Sequence, residues 1–332
     1  MFVHLTLQGA QAHLDNQRLR VTHEGREVAA VPLGQVQGVV VWGRVHLTQP
    51  LMVALLDRGI PVVFLTQHGR YRGRLQGPQT PHVSLRRAQY RRLEDADWVL
   101  ETARGLVRAK LQHQQALLHR YRRRHQLQDP TLEQALEALQ ATLTALSRKR
   151  TLNALRGAEG VATRHYFRGF RALVQDPWRF PGRRRRPPTD PVNALLSLGY
   201  TLLTQKAVAA VETVGLDPYA GVLHQERHGR PALALDLAEE FRPIVDGVVL
   251  KILHQGVLTP EDFQPHDDGG LRLGREALRR FLNVFEGRFA QRFRHPLRDQ
   301  RLTLNQCLVE QAHQLARRIQ RGEAGYQGMG FR

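Results

Sequence analysis

Carboxylates crowd into one short stretch of this otherwise basic chain. The stretch runs Leu233-Ala-Leu-Asp236-Leu-Ala-Glu239-Glu240, so Asp236 lies three residues before Glu239 and four before Glu240. On a helix these spacings bring the carboxylates near one face, where like charges repel mildly. A divalent cation with oxygen ligands would remove that repulsion. A solvated helix start gives the same pattern, because acidic side chains are favoured at the positive end of the helix dipole.

A histidine precedes the acidic stretch and could supply a nitrogen ligand. His224 lies twelve residues before Asp236, and the following His228-Gly229 pair is typical of a turn. We therefore predict a hairpin that returns the chain from His224 toward Asp236. Histidine is a common metal ligand, although most histidines are ordinary surface or core residues. No cysteine lies nearby, which disfavours a zinc site.

A third candidate, Glu159, lies between two glycines in Gly157-Ala-Glu159-Gly160. The surrounding residues have helical periodicity, and each glycine in a helix costs about 1 kcal/mol relative to alanine. Glycine is used where another group must approach the backbone closely. That group could be a ligand at Glu159 or a second helix crossing at this point, and the pattern leaves both open.

The charge of the chain indicates a polyanionic partner. Its 332 residues include 49 Lys and Arg against 30 Asp and Glu, a net charge of +19. Arginine dominates, and its planar guanidinium matches phosphate oxygens two at a time. The densest basic cluster comprises Arg183, Arg184, Arg185 and Arg186. It predicts contact with nucleic-acid phosphates, and a solvated loop is the alternative.

Composition gives a weaker indication of the cellular location of the protein. No run of 18 apolar residues and no lipidation signal is found, so we expect no membrane association. The N-terminus lacks the basic and apolar regions of a secretory signal, and the single Cys307 cannot form an internal disulfide. A cytoplasmic location is therefore expected.

The elements that must position these residues begin with strands. Short apolar runs, such as the three valines at 39–41, alternate with turn residues near the N-terminus. They predict a small β-rich, sandwich-like domain over residues 1–76. A segment rich in glycine and proline then predicts a linker over residues 77–84.

Beyond the linker the apolar spacing changes from two to three and four. This periodicity predicts a larger, all-helical domain over residues 85–322. The glycine-rich end, residues 323–332, is expected to be a flexible tail. The predicted fold class is therefore α+β, and all three candidate ligands fall in the helical domain.

The glycine-flanked glutamate, the histidine and the acidic stretch occur together in an order typical of one family. The segments are Gly157-Ala-Glu159-Gly160 with Tyr166-Phe167, Pro188-Thr-Asp190-Pro-Val-Asn193, Leu223-His224, and Asp236-Leu-Ala-Glu239-Glu-Phe-Arg-Pro243, with Gly69-Arg-Tyr-Arg-Gly73 near the start. Their order and separations resemble the CRISPR-associated endonuclease and integrase of the adaptation module, the first-numbered Cas protein family. The resemblance spans nearly the whole chain, and the combination is far more specific than any single segment.

The resemblance implies a set of site residues and a cofactor. Glu159, His224 and Glu239 would be both the catalytic residues and the ligands of a divalent metal, Mn²⁺ or Mg²⁺. Asp236 matches an acidic position that supports the site in some relatives. The third ligand is aspartate in some members and glutamate here, and either supplies carboxylate oxygens.

The resemblance also implies a function and partners. The enzyme would insert short foreign DNA into a CRISPR repeat array through attack of a 3′-hydroxyl on a phosphodiester bond. Its partners would be double-stranded DNA, a second copy of the chain bound through the N-terminal half, and the small ferredoxin-like second-numbered Cas protein. Two alternatives remain: a structure-specific, metal-dependent DNase of DNA repair, and a non-catalytic nucleic-acid-binding protein.

Overall fold

The computed structural model describes residues 1–77, 82–184, 186–295 and 300–330. The chain divides into two compact units. Unit 1 comprises Met1–Gln79 and Arg272–Ala290, and unit 2 comprises Thr80–Leu271 and Gln291–Arg332.

Unit 1 contains two four-stranded sheets. The first has the order β1 (Phe2–Leu5), β5 (Gly38–Trp42), β7 (Val62–Leu65), β8 (Tyr71–Leu75), and the second has the order β4 (Arg26–Pro32), β3 (Arg18–His23), β2 (Gln11–Asp15), β6 (His46–Leu47). One helix, α1 (Gln49–Asp57), follows β6. Leu5 and Val41 of the first sheet, Leu19 of the second and Leu55 of α1 belong to one apolar core. The predicted β-rich, sandwich-like region is confirmed.

Local sequence explains the strand pairing in unit 1. Asn16 and Gln17 both have positive φ, 46° and 60°, and join β2 to β3 in a two-residue turn. Glu24 and Gly25 do the same between β3 and β4, with φ of 52° and 74°. Such turns match the twist of antiparallel strands, which fixes the register of this three-strand meander.

Unit 2 is built from long helices. They are α2 (Val83–Leu93), α3 (Ala96–His125), α4 (Pro130–Ala145), α5 (Leu152–Ala172), α6 (Pro191–Val214), α7 (Ala232–His254) and α9 (Leu304–Arg321). Side chains of Asp95, Asp129, Thr151, Asp190 and Thr303 accept hydrogen bonds from the first turns of α3, α4, α5, α6 and α9. These caps satisfy amide groups that a helix leaves without partners. The helical region is confirmed.

Short strands and one further helix complete the chain. They are β9 (Phe263–Pro265), β10 (Leu271–Leu273), α8 (Arg275–Ala290), β11 (Arg292–Arg294) and β12 (Arg301–Thr303). The last two strands pair antiparallel within unit 2.

Helix α8 corrects the prediction of one continuous helical domain over residues 85–322. It belongs to unit 1, where Glu286 lies 2.9 Å from Nε2 of His4 in β1. Trp42 donates its indole N–H to Nδ1 of the same histidine at 3.1 Å. Periodicity shows that a helix has an apolar face, but it does not show which core covers that face.

The C-terminal strap, residues 323–330, corrects a second prediction. Expected as a flexible tail, it lies against α3 and α7, and Tyr326 and Met329 are buried. The Tyr326 hydroxyl and the Met329 amide donate to the carboxylate of Glu240. A Cβ at Gly105 would lie 2.3 Å from the Tyr326 carbonyl oxygen. Glycine permits this close approach, so the strap is held by packing that no local pattern reveals.

Helix α6 passes the length and composition test for a membrane span. Within the described part of the chain it is the single helix that does so, and 56% of its most apolar window is buried inside the protein. Asp190 at its start and Gly215 at its end, with φ of 92°, are the caps of an ordinary core helix.

The strap predicts a stability effect. Tyr326→Phe removes a hydroxyl donor from the buried Glu240 carboxylate and should lower the free energy of unfolding by about 1–3 kcal/mol. Urea denaturation followed by circular dichroism measures it. Tyr219→Phe, at an exposed tyrosine, is the matched control and should change stability by less than about 0.5 kcal/mol. Equal effects would contradict a tightly held strap.

Candidate metal centre

The acidic stretch lies within α7, and its three carboxylates are buried. Asp236 and Glu240 are 0% exposed and Glu239 is 6% exposed. Buried carboxylates require compensating partners, so the alternative of a solvated helix start is excluded. Each carboxylate has its own set of contacts. Asp236 binds a loop, Glu239 contacts cations, and Glu240 binds the strap.

Asp236 fixes the loop that carries His224. Its carboxylate accepts from the amides of Val222 at 2.6 Å, Leu223 at 2.9 Å and His224 at 2.9 Å. The predicted hairpin is wrong, because residues 215–231 contain no strand. A carboxylate that gathers three consecutive amides, rather than strand pairing, returns the chain to α7.

The same carboxylate orients the imidazole of His224. Nδ1 of His224 lies 2.6 Å from Oδ1 of Asp236. An ionised carboxylate only accepts hydrogen bonds, so Nδ1 is the donor in this contact and Nε2 is left facing Glu239. Nε2 lies 3.7 Å from Oε1 of Glu239. This is the usual arrangement behind a metal-binding histidine, in which the second nitrogen is held by a carboxylate.

Helix α5 brings Glu159 to the same place. Thr163, one turn later, donates its hydroxyl to Oε1 of Glu159 at 2.8 Å. Arg156, one turn earlier, donates to the carbonyl of Leu223 at 2.6 Å and ties α5 to the histidine loop. A Cβ added at either glycine beside Glu159 would meet no described atom within 4 Å. The alternative of a helix crossing here is therefore unsupported, and the flank of Glu159 is open.

Lys110 of α3 is a site residue that the sequence analysis missed. Its side chain is 6% exposed, and its ammonium contacts Glu159 and lies 2.6 Å from Oε2 of Glu239. Lys110 follows the buried Leu106 by one helical turn, and Leu117 lies two turns further on. A lysine on the apolar face of a helix indicates a buried acidic partner, since lysine is almost never buried without one.

Arg242 is a second missed residue and connects the site to a buried aromatic cluster. It donates from Nε to Oε1 of Glu239 at 2.9 Å, and its guanidinium carbon lies 4.5 Å from the ring centre of Tyr200. The hydroxyls of Tyr200 and Tyr166 both donate to Asp246. Burial raises the pKa of Asp246 to about 6, even though these two hydrogen bonds lower it. In the sequence, the three-residue spacing of Glu239 and Arg242 is typical of an ion pair on one face of a helix and indicates this contact.

The charges at the site favour each other's ionised forms. Burial alone would raise the pKa of Glu239, but the positive charges of Arg242 and Lys110 outweigh it and hold that pKa well below its ordinary value. Burial alone would lower the pKa of Lys110, but Glu239 and Glu159 raise it overall. At neutral pH an ionised Glu239 therefore lies beside a protonated Lys110 ammonium.

The donor set of the site suits a hard divalent ion, although the ligands do not yet surround one point. Within the described ranges no three Asp, Glu, His or Cys side chains are grouped closely enough to hold a metal ion, and the Lys110 ammonium contacts both Glu159 and Glu239. Oε2 of Glu239 is buried, and the Lys110 ammonium lies 2.6 Å from it. Two carboxylates and an imidazole nitrogen are ligands that Mn²⁺ or Mg²⁺ accepts.

The predicted arginine cluster splits into different environments. The guanidinium of Arg183 donates to Oδ1 of Asn193 at 2.8 Å and to Oγ of Ser197 at 3.2 Å, so it braces the start of α6. Arg184 and Arg186 are exposed. Arg185 lies outside the described residues. Phosphate contact therefore stays a prediction for the exposed pair.

Comparison with known proteins identifies the family. The family model described as CRISPR associated protein Cas1 matches residues 3–287. The chain is 43% identical over 298 residues to CRISPR-associated endonuclease Cas1 1 of Thermus thermophilus, covering 90% of this chain and 89% of that protein. The predicted class of enzyme, an endonuclease, is confirmed. The chain belongs to the CRISPR-associated Cas1 family, as its motifs predict.

Two solved structures are similar over nearly the whole chain. A casposase bound to integration product shares the fold with a TM-score of 0.86 at 23% identity, over 99% of this chain and 92% of that one. A Cas6-RT-Cas1–Cas2 complex gives a TM-score of 0.81 at 30% identity, over 97% of this chain and 35% of that longer chain. Both agree with the strand-rich unit followed by helices.

Close packing around Gly221, three residues before His224, predicts that this position does not tolerate a larger side chain. A Cβ at Gly221 would lie 2.5 Å from Cβ of Ala232 and 3.1 Å from Oδ2 of Asp236. Gly221→Ala should therefore lower the free energy of unfolding by about 1–3 kcal/mol, as overpacking does. Thermal denaturation measures this change. Gly157→Ala, in open space on α5, is the control and should be neutral or stabilising by up to about 1 kcal/mol. A neutral Gly221→Ala would contradict the close fit of loop and helix.

Proposed function

We propose that this chain is a metal-dependent DNA integrase and endonuclease that inserts short foreign DNA into a CRISPR repeat array. The observation that carries the proposal is that Glu159 and Glu239, from two helices, meet at one cation, the Lys110 ammonium, and that Nε2 of His224 lies 3.7 Å from Oε1 of Glu239. Membership of the Cas1 family supports it.

The three ligands would hold one or more divalent ions. Such an ion acts as a Lewis acid on the phosphoryl oxygens and lowers the pKa of a bound hydroxyl or water. Two carboxylates and one imidazole accommodate both Mn²⁺ and Mg²⁺, and the nitrogen ligand favours Mn²⁺.

The remaining side chains prepare the site. Asp236 holds the proton on Nδ1 of His224, so Nε2 stays available as a ligand. Arg242 balances part of the charge of Glu239. The flank of Glu159 beside Gly157 and Gly160 is open, and DNA would approach the site from this side. A 3′-hydroxyl admitted here gives strand transfer, and water admitted instead gives plain cleavage, since both are in-line attacks on phosphorus.

DNA binding would be mainly electrostatic. The net charge of +19 suits a polyanion, and the exposed Arg184 and Arg186 are suited to contact phosphates. Contacts to phosphates fix the position of a duplex without reading its sequence.

We further propose the partners of the assembled enzyme. A second copy of the chain would bind through unit 1, and the small ferredoxin-like second-numbered Cas protein would join the two copies. The similar Cas6-RT-Cas1–Cas2 complex supports the second partner. A cytoplasmic location fits these partners. A repair DNase with the same site would cleave DNA without joining it, and an assay for joined strands separates the two functions.

Loss of a proposed ligand should abolish strand transfer. We expect Glu239→Gln and His224→Ala to slow joining of a short duplex to a repeat-containing plasmid, in Mn²⁺ and with the partner protein present, by at least about a hundredfold. The lost Lewis-acid effect is worth several kcal/mol. Glu137→Gln, at an exposed carboxylate on α4, is the control and should retain wild-type activity. Joining at the wild-type rate by either ligand variant would refute this assignment.

The exposed arginines should contribute to the salt dependence of binding. Replacing both Arg184 and Arg186 by glutamine should reduce the slope of log K against log salt by about 2 for duplex DNA, since each lost phosphate contact removes about 0.9. The matched control is Arg123→Gln with Arg124→Gln, an exposed pair at the end of α3. Fluorescence anisotropy at several salt concentrations measures the slope. An equal reduction in both double variants would show that only net charge matters.

A further inference from the structure

Lys110 places a built-in cation where the proposed metal ligands meet. Its ammonium contacts carboxylate oxygens of both Glu159 and Glu239, and its side chain is almost completely buried. The two carboxylates come from different helices, α5 and α7, and Lys110 comes from a third, α3. The ammonium is therefore the group that holds two like charges together across three helices.

A divalent ion cannot share this position with the ammonium. Nζ lies 2.6 Å from Oε2 of Glu239, and a metal bound by the same oxygen would lie at about 2.1 Å. Two cations bound to the same pair of oxygens would also repel each other strongly in a buried site. The ammonium must therefore leave before a metal can bind through the same two oxygens, Oε1 of Glu159 and Oε2 of Glu239.

We propose that Lys110 is an exchangeable counter-ion of the metal centre, a positioning residue that occupies the cation position until the metal displaces it. The inference rests on the proposed function, because it takes Glu159 and Glu239 as metal ligands. It adds that metal affinity is set by competition with a tethered ammonium. The lysine stem is long and flexible, so Nζ can withdraw without movement of α3.

An ordinary structural ion pair would behave differently. If Lys110 only braced the three helices, removing its charge would weaken the site and metal would bind no better. If Lys110 competes with the metal, removing the charge weakens the metal-free protein but strengthens metal binding. The sign of the change in affinity therefore distinguishes the two roles.

The test is Mn²⁺ binding to the full chain, measured from the electron paramagnetic resonance signal of free Mn²⁺. We expect Lys110→Met to bind Mn²⁺ at least about tenfold more tightly than wild type, and Lys110→Arg, which keeps the charge, to bind no more tightly than wild type. Equal or weaker binding by a folded Lys110→Met would overturn the proposal. Wild type whose Mn²⁺ binding does not depend on Glu159 and Glu239 would overturn the metal site itself, and this inference with it.

A second measurement needs no variant. Reductive methylation followed by mass spectrometry reports how accessible each lysine is, and Lys149, Lys206 and Lys251 are the internal references. Lys110 should be modified slowly in metal-free wild type and several-fold faster with saturating Mn²⁺, while the references stay unchanged. An unchanged rate at Lys110 with Mn²⁺ bound would show that the ammonium is not displaced.

Discussion

Two carboxylates from different helices do not stay together in a partly buried site unless positive charge lies between or beside them. In this protein Glu159 and Glu239 meet that condition through Lys110, and Arg242 adds a second cation on the other oxygen of Glu239. Lys110 lies on α3, Glu159 on α5, and Glu239 and Arg242 on α7. The arrangement of α3, α5 and α7 and the charge balance of the site therefore depend on each other.

Helix α7 is the element from which the site is organised. Within five residues it presents three buried carboxylates with three separate tasks. Asp236 gathers the loop of His224, Glu239 belongs to the charge cluster, and Glu240 accepts the Tyr326 hydroxyl and the Met329 amide. The last contact makes the C-terminal strap part of the packing of unit 2. Because all three carboxylates have such partners, α7 has little freedom to rotate or slide.

The polar network continues behind the site. Arg242 lies over the ring of Tyr200, and Tyr200 shares Asp246 with Tyr166 of α5. Arg183, from the arginine-rich loop, lies 5.3 Å from the centre of the same Tyr200 ring. Arg183, in the loop proposed to contact DNA, and Arg242, which contacts Glu239, thus pack on the same tyrosine ring. A substitution at Tyr200 would therefore disturb both the arginine-rich loop and Arg242.

The sequence by itself determined the fold class, the family and the ligand candidates. Strand and helix periods are local properties, and the spacing of Asp236 and Glu239, like the glycines beside Glu159, is visible in a short window. Tertiary structure alone decided the rest. It showed that Lys110 and Arg242 complete the site, that α8 belongs to unit 1, and that the strap is anchored on Glu240. These features depend on contacts between residues far apart in the chain. Lys110 and Glu239 are 129 positions apart, and no local pattern specifies which distant charge will meet a buried one.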